Sequence, residues 1–250
     1  MEKKNKMETM HMQKLVINMS LPLIVSLLVQ SLYNIVDSIF VAKMSEEALT
    51  ATSLAFPVQM LMIAFSVGTS VGVNALLSKT LGARNRERAT KIANTSIMLA
   101  LIGGAVFSLT GIFFAQKLAR SFTTVESTAA LCAEYLSICM VFCFGNFIET
   151  MLQRFLQAAG NTVLSMCSLI AGAVTNIMLD PILIFGLLGF PALGIRGAAI
   201  ATVIGQWLGA AVALLLNRFC NREVIVDFRR FCPEKEIIFG IYKVGLPNII

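Results

Sequence analysis

Six stretches, each long and apolar enough to cross a lipid bilayer, follow one another along this chain with short polar segments between them. A membrane-crossing helix needs about 20 predominantly apolar residues. The stretches cover residues 15–41, 49–77, 92–115, 129–152, 163–188 and 197–216, and a seventh, 237–250, begins near Ile237. The expectation is an all-α membrane protein, a six-helix transmembrane bundle with the start of a seventh helix. Composition points the same way. Charged residues make up 14% of the chain and the mean hydropathy is +0.79. Soluble domains carry roughly 25% charged residues, so this surface is built to face the lipid bilayer. The charged start, MEKKNKMETMHMQK, precedes an apolar run too long for a secretory signal and lacks a small-residue cleavage site. The first stretch is therefore read as an uncleaved membrane helix.

Loop charges orient the bundle, because Lys and Arg concentrate on the cytoplasmic side of membrane proteins. With residues 1–14 inside, 16 of the 20 basic residues fall on the inner side, Arg154 among them. Only Lys43, Lys117, Arg120 and Arg196 fall outside. Residues 15–216 then form the six-helix lobe, and 217–236 a cytoplasmic linker to the seventh helix. The net charge of +6 is the basic inner face of a membrane protein. No soluble domain with clustered basic and aromatic residues is visible, so nucleic acid is not a partner.

A repeat is also legible. Ser20-Leu21-Pro22 and Gly245-Leu246-Pro247 each lie early in an apolar run that follows a basic segment, about one six-helix unit apart. An even number of helices returns the chain to its starting side, so a second unit would repeat the first in parallel. The chain is expected to lack that second, C-terminal lobe. Within the sixth stretch Gly197, Ala201, Gly205, Gly209 and Ala213 recur every four residues, a row that lets helices approach closely.

Few residues can carry chemistry. His11 is the single histidine, and the six cysteines include no C-x-x-C pair, so neither a metal centre nor a cofactor site is expected. Ionisable groups inside membrane helices usually face a bundle interior or a water-filled cavity. Asp37, Glu149 and Asp180 qualify, while Glu134 sits near the outer interface. Gln30, Asn34 and Asp37 share one helix face by their spacing. Asp37 is open to two readings, a cap at the outer interface or an inward protonatable or cation-binding group. Asp180 follows Asn176 by four residues and precedes Pro181, whose ring removes a backbone donor. Helix directions allow Asp37, Asp180, Thr202, Gln206 and Tyr135 to meet in the outer half of one cavity. Burial favours the neutral form of a carboxylic acid, so the pair could take up H⁺. Na⁺ at Asp180 and Asn176 is the alternative coupling ion. Glu149 is open to two readings, a second protonation site or an interior polar contact.

At these residues the chain resembles the multidrug and toxic compound extrusion (MATE) family, closest to its prokaryotic members. The resemblance is carried by SLPLIVSLLVQSLYNIVDSIFVAKM, SKTLGARNRERA, QAAGNT and NIMLDPILIFGLLGFPALGIRGAAIATVIGQ. It implies a twelve-helix protein of two lobes that exports organic, often cationic, drugs in exchange for H⁺ or Na⁺ across the plasma membrane. It implies a cation site at Asp37, Asn176, Asp180, Thr202 and Tyr135. Gln30 and Asn34 match cavity-lining positions, and Pro22 a proline where the first helix bends; Glu149 and Gln206 join the lining by position. Two places depart from the family: Ala42-Lys43 follows Val41 where a Gly is common, and Thr150 beside Glu149 stands where some members have Asn.

Three other functions compete. A flippase for lipid-linked precursors would need basic groups inside the bundle, and none is evident. A membrane-embedded enzyme would need a Ser–His, paired-Asp or metal constellation, and no helix holds a histidine. A single lobe could also be a non-transporting fragment.

Overall fold

The computed structural model describes residues 11–221, 223–226 and 234–249. Residues 1–10, most of the expected inner terminus, lie outside them, as do residues 222 and 227–233 of the expected linker with Arg222, Arg229, Arg230 and Cys232. The described residues form α1 (Met12–Ala42), α2 (Glu46–Gly82), α3 (Arg86–Phe122), α4 (Glu126–Val141), α5 (Phe144–Ala158), α6 (Thr162–Phe185), α7 (Ile195–Cys220) and α8 (Lys235–Gly245). Among them there is no strand.

Local signals set the helix ends. The Ser45 hydroxyl accepts from the Ala48 N–H at 3.0 Å and begins α2, with Glu46 and Glu47 against the positive end of the helix. Asn85 begins α3 in the same way, accepting from the Arg88 N–H at 3.0 Å. Gly186 ends α6 in the left-handed region, at φ 73°. The return to α7 then closes on α6: the Leu193 and Gly194 N–H groups donate to the Leu183 and Ile184 carbonyls at 3.0 and 3.2 Å.

Five helices, α1, α2, α3, α6 and α7, are each long and apolar enough to cross a membrane. The sixth crossing differs from the single helix expected over 129–152. It is the pair α4 and α5, bent by 47° at Phe142–Cys143. No proline lies at the bend. Instead α3 supplies substitute partners for the interrupted ladder. The Ser108 hydroxyl donates to the Val141 carbonyl at 3.0 Å, and the Cys143 thiol to the Gly104 carbonyl at 3.4 Å. Phe144 and Phe147 then lie directly over Gly104 and Gly103 of α3.

Packing joins α1 to α6, α6 to α7, α7 to α4 and α5, and α2 to α3, α4, α5 and α8. Two apolar clusters result. One surrounds Phe147, Phe155, Ile92 and Leu77 and takes in Ile237 and Ile241 of α8. The other surrounds Leu136, Met140, Ala51 and Ile195. The first helix is the most open: Leu21, Ile24, Leu28 and Leu32 are all exposed. The structure agrees with the expected small-residue row on α7. A Cβ at Gly205 would lie 2.9 Å from the Gly172 carbonyl oxygen, and one at Gly197 would lie 2.5 Å from that of Leu183. The backbones of α6 and α7 are in contact along this row.

Gly205→Val forces that contact apart, and overpacking of this kind costs about 1–3 kcal/mol. Thermal unfolding of the full-length protein in detergent is expected to show a lowered midpoint for Gly205→Val. Gly82→Ala, with nothing within 4 Å of the added carbon, is expected to match the wild type.

Candidate functional site

On α6, Asn176 and Asp180 are one turn apart on the same face. Both are buried, Asp180 completely. The Asn176 amide nitrogen lies 3.5 Å from Asp180 Oδ1 and donates to Thr202 Oγ1 at 3.3 Å. Thr202 reaches this position because α7 runs against α6 at Gly172 and Gly205, three residues farther along α7. From the other side α1 brings two groups. The Asp37 carboxyl comes within hydrogen-bonding reach of the Asp180 carboxyl. The Tyr33 hydroxyl, one turn earlier, comes within the same reach of the Thr202 hydroxyl. Three helices thus meet at a cluster of five polar side chains.

Three oxygens in this cluster are buried without a hydrogen-bond partner: Asp37 Oδ1, Asn176 Oδ1 and Asp180 Oδ2. Buried polar atoms are normally paired, and two of these oxygens belong to the carboxyls that approach each other, where a shared proton would supply the partner. All three are hard oxygen donors of the kind that holds a proton or an alkali cation. Asp37 is therefore placed as the inward-facing group, not as a cap; the α1 end is closed by the Lys43 N–H on the Ile39 carbonyl at 3.2 Å.

The remaining expected residues divide. Tyr135 of α4 is buried beside the cluster, but its hydroxyl accepts from Gln59 Nε2 of α2 at 3.4 Å, with Cys139 alongside. Gln30 and Asn34 are exposed on α1, and Gln206 is half-buried one turn from Thr202. None of these three joins the cluster. Glu149 stands apart on α5. Its Oε1 accepts from Gln153 Nε2 at 3.0 Å, and Gly209 of α7 leaves the space it fills, since a Cβ there would lie 2.3 Å from that oxygen. Pro22 lies within an unbroken α1, its carbonyl accepting from the Ser26 hydroxyl at 2.8 Å. Pro181 lies within α6 and leaves the Ile177 carbonyl without its usual donor. Glu134, midway along α4, forms a two-pronged pair with Arg196 in the first turn of α7, at 3.0 and 2.6 Å.

Sequence reasoning missed four polar residues. Tyr33 falls one turn before Asp37, so spacing could have found it had its hydroxyl been counted as polar. Gln59 and Cys139 were hidden in apolar stretches and meet Tyr135 only through tertiary packing. Arg154 was grouped with the inner-loop cations, and the bundle interior was read as free of basic groups. In the structure α5 continues to Ala158, and the Arg154 guanidinium turns into the bundle to reach Ser70 of α2 at 3.2 Å.

An apolar helical bundle with acidic groups meeting inside it is an integral membrane protein with a polar interior site, an arrangement that transporters share. Residues 22–182 match the MatE family, and the chain belongs to that family of transporters. Among its relatives, "Probable multidrug resistance protein YoeA" of Bacillus subtilis is 34% identical over 73% of this chain and 40% of its own length. An FAD transporter of Shewanella oneidensis is 30% identical over 78% and 43%. The multidrug export protein MepA of Staphylococcus aureus is 28% identical over 95% and 52%. The fold matches a solved multidrug resistance MATE family transporter in its outward-facing conformation. The TM-score is 0.89 at 30% identity, covering 99% of this chain and 54% of that one. The chain thus spans about half the length of the relatives it matches.

Thr202→Val removes the oxygen that accepts from the Asn176 amide. Leaving buried polar groups unpaired costs about 1–3 kcal/mol each. The unfolding midpoint of the full-length protein in detergent is expected to fall for Thr202→Val and to stay near the wild-type value for Thr202→Ser.

Proposed function

We propose that the full-length protein exports organic, often cationic, compounds from the cell by exchange for H⁺ or Na⁺. Asp37, Asp180, Asn176 and Thr202 form its coupling-ion site. The observation that carries this reading is the convergence of two carboxyl groups, from α1 and α6, with three unpartnered buried oxygens. Two carboxylates this close repel each other when both are ionised, so a shared proton or a bound cation stabilises the pair. Loading and release of that ion change the attraction between α1 and α6, and such a change can bias a two-state bundle. Relatives named as multidrug exporters support drug efflux as the activity. The name of the Shewanella relative extends the substrates of related proteins to FAD, which bears a pyrophosphate, so substrate charge depends on the residues that line each cavity.

The rest of the reading follows from the same proposal. A second lobe completes the cavity, access alternates between the lobes, and the N-terminus faces the cytoplasm at the plasma membrane. The concentration of Lys and Arg in the segments that share a side with the N-terminus, 16 of 20, supports that orientation. The work is transport and not catalysis, with no cofactor besides the coupling ion.

The test uses full-length protein in proteoliposomes loaded with a fluorescent organic cation. Efflux driven by a pH or Na⁺ gradient is expected for wild type and is expected to drop at least tenfold for Asp180→Asn. Gradient-driven efflux at the wild-type rate in that variant would remove Asp180 from the coupling site. Asp37→Asn is expected to behave like Asp180→Asn, because the two carboxyls act as one unit.

A further inference from the structure

Arg154 sits one turn before the C-terminal end of α5. Its Nε donates to Ser70 Oγ of α2 at 3.2 Å, and its Nη1 donates to Gln157 Oε1 at 2.7 Å. Gln157 is itself held by donating from Nε2 to Ser165 Oγ of α6 at 2.9 Å. Three helices therefore fix one guanidinium. Ser70 lies 12 residues before the end of α2, a distance of ~18 Å at helical rise. An arginine that merely snorkels extends its head toward water at the helix end, whereas this one reaches back into the bundle.

Its charge is left uncompensated. A guanidinium carries five N–H donors in a planar fork, and the two bonds made here go to neutral oxygens. Arg88, Lys91, Arg120 and Arg196 each pair with a glutamate, and Arg154 does not. The carboxylate on its own helix, Glu149, is engaged by Gln153 and seated against Gly209 of α7. One turn from Ser70 on the same face of α2, Ser66 is 2% exposed and its hydroxyl has no partner. Charged groups within membrane bundles are retained where they meet a counter-charge or a ligand. A neutral side chain would serve a purely structural bond to Ser70.

We propose that Arg154, positioned by Ser70 and Gln157, is an oxyanion-binding site that takes a carboxylate or phosphate group, in the half of the bundle opposite the Asp37–Asp180 pair. The planar fork suits either oxyanion through paired N–H donors. The oxyanion belongs either to a transported molecule or to an acidic side chain of the full-length protein beyond this chain. The site stands on its own geometry, and only the first source rests on the transport reading.

The experiment uses full-length protein in detergent and two fluorescent probes that share one ring system, FAD with its pyrophosphate and riboflavin without it. For an oxyanion carried by substrate, FAD is expected to bind more tightly than riboflavin. Arg154→Gln is expected to weaken FAD at least tenfold and leave riboflavin unchanged, with Arg154→Lys in between. Asp180→Asn is expected to keep the FAD preference, which separates this site from the coupling site. For a side-chain oxyanion, the probes bind alike in wild type. The unfolding midpoint lowered in Arg154→Glu is then restored by a second-site change of an acidic residue to Lys or Arg. Folding of each variant is checked by its unfolding midpoint. The proposal is overturned if Arg154→Gln folds, shows no selective loss of FAD binding, and Arg154→Glu yields no charge-swapping suppressor.

Discussion

The contact of α6 with α7 through bare backbone is the constraint on which the site depends. Gly172 and Gly205 each lie where an added carbon would come within 2.9 Å of the other's carbonyl oxygen. Helices in lipid gain nothing from excluding hydrocarbon, so they associate through close van der Waals packing and interhelical hydrogen bonds. Here both occur together. The glycines set the separation, and at that separation the Asn176 amide can reach the Thr202 hydroxyl 3.3 Å away. A larger residue in the row would move Thr202 away from Asn176 and dissolve the polar cluster without touching any member of it. Fold and site are therefore one problem in this half of the bundle.

The bend between α4 and α5 solves a second problem of placement. A straight helix across 129–152 would carry Tyr135 and Glu149 along one unbroken rod. The 47° bend gives the two halves different neighbours. The half before the bend packs Leu136 and Met140 into the cluster around Ala51 and Ile195, and the half after it packs Phe147 and Phe155 into the cluster that takes in Ile92 of α3 and Ile237 of α8. Interrupting a helix in hydrocarbon exposes carbonyls that have no water to meet. The Ser108 hydroxyl answers this for Val141, 3.0 Å away. The bend is thus stabilised from outside the helix that carries it, which is why no proline is required.

That division also explains what could be read from sequence. The membrane crossings were legible because apolar length is a local property, and so were Asn176 and Asp180, since a spacing of four places them together on any α-helix. The glycine row on α7 announced close packing but not its partner. The bend was invisible because its cause lies in Gly103, Gly104 and Ser108, far from it in the chain. Tyr33 and Gln59 were overlooked for a related reason: their polar atoms acquire meaning only beside Thr202 and Tyr135. Arg154 was misplaced because loop counting assigns a cation by its distance from a helix end, while its side chain answers to Ser70 across the bundle.

Charge in this bundle is compensated differently at its ends and in its interior. At the helix ends Arg120 meets Glu126, Arg196 meets Glu134, and Lys91 meets Glu234, where water screens each pair. In the interior Asp37 and Asp180 meet each other, Glu149 meets Gln153, and Arg154 meets Ser70 and Gln157. A bundle selected only for stability would pair these opposite charges or replace them with apolar residues, since an unpaired ion in a low-dielectric interior is costly. The acids are instead kept apart from the base, Glu149 and Arg154 on neutral partners and Asp37 and Asp180 on each other. The neutral partners hold the side chains in place while the net charge stays available. Under the proposed transport function, such charges would be neutralised in turn by what passes through.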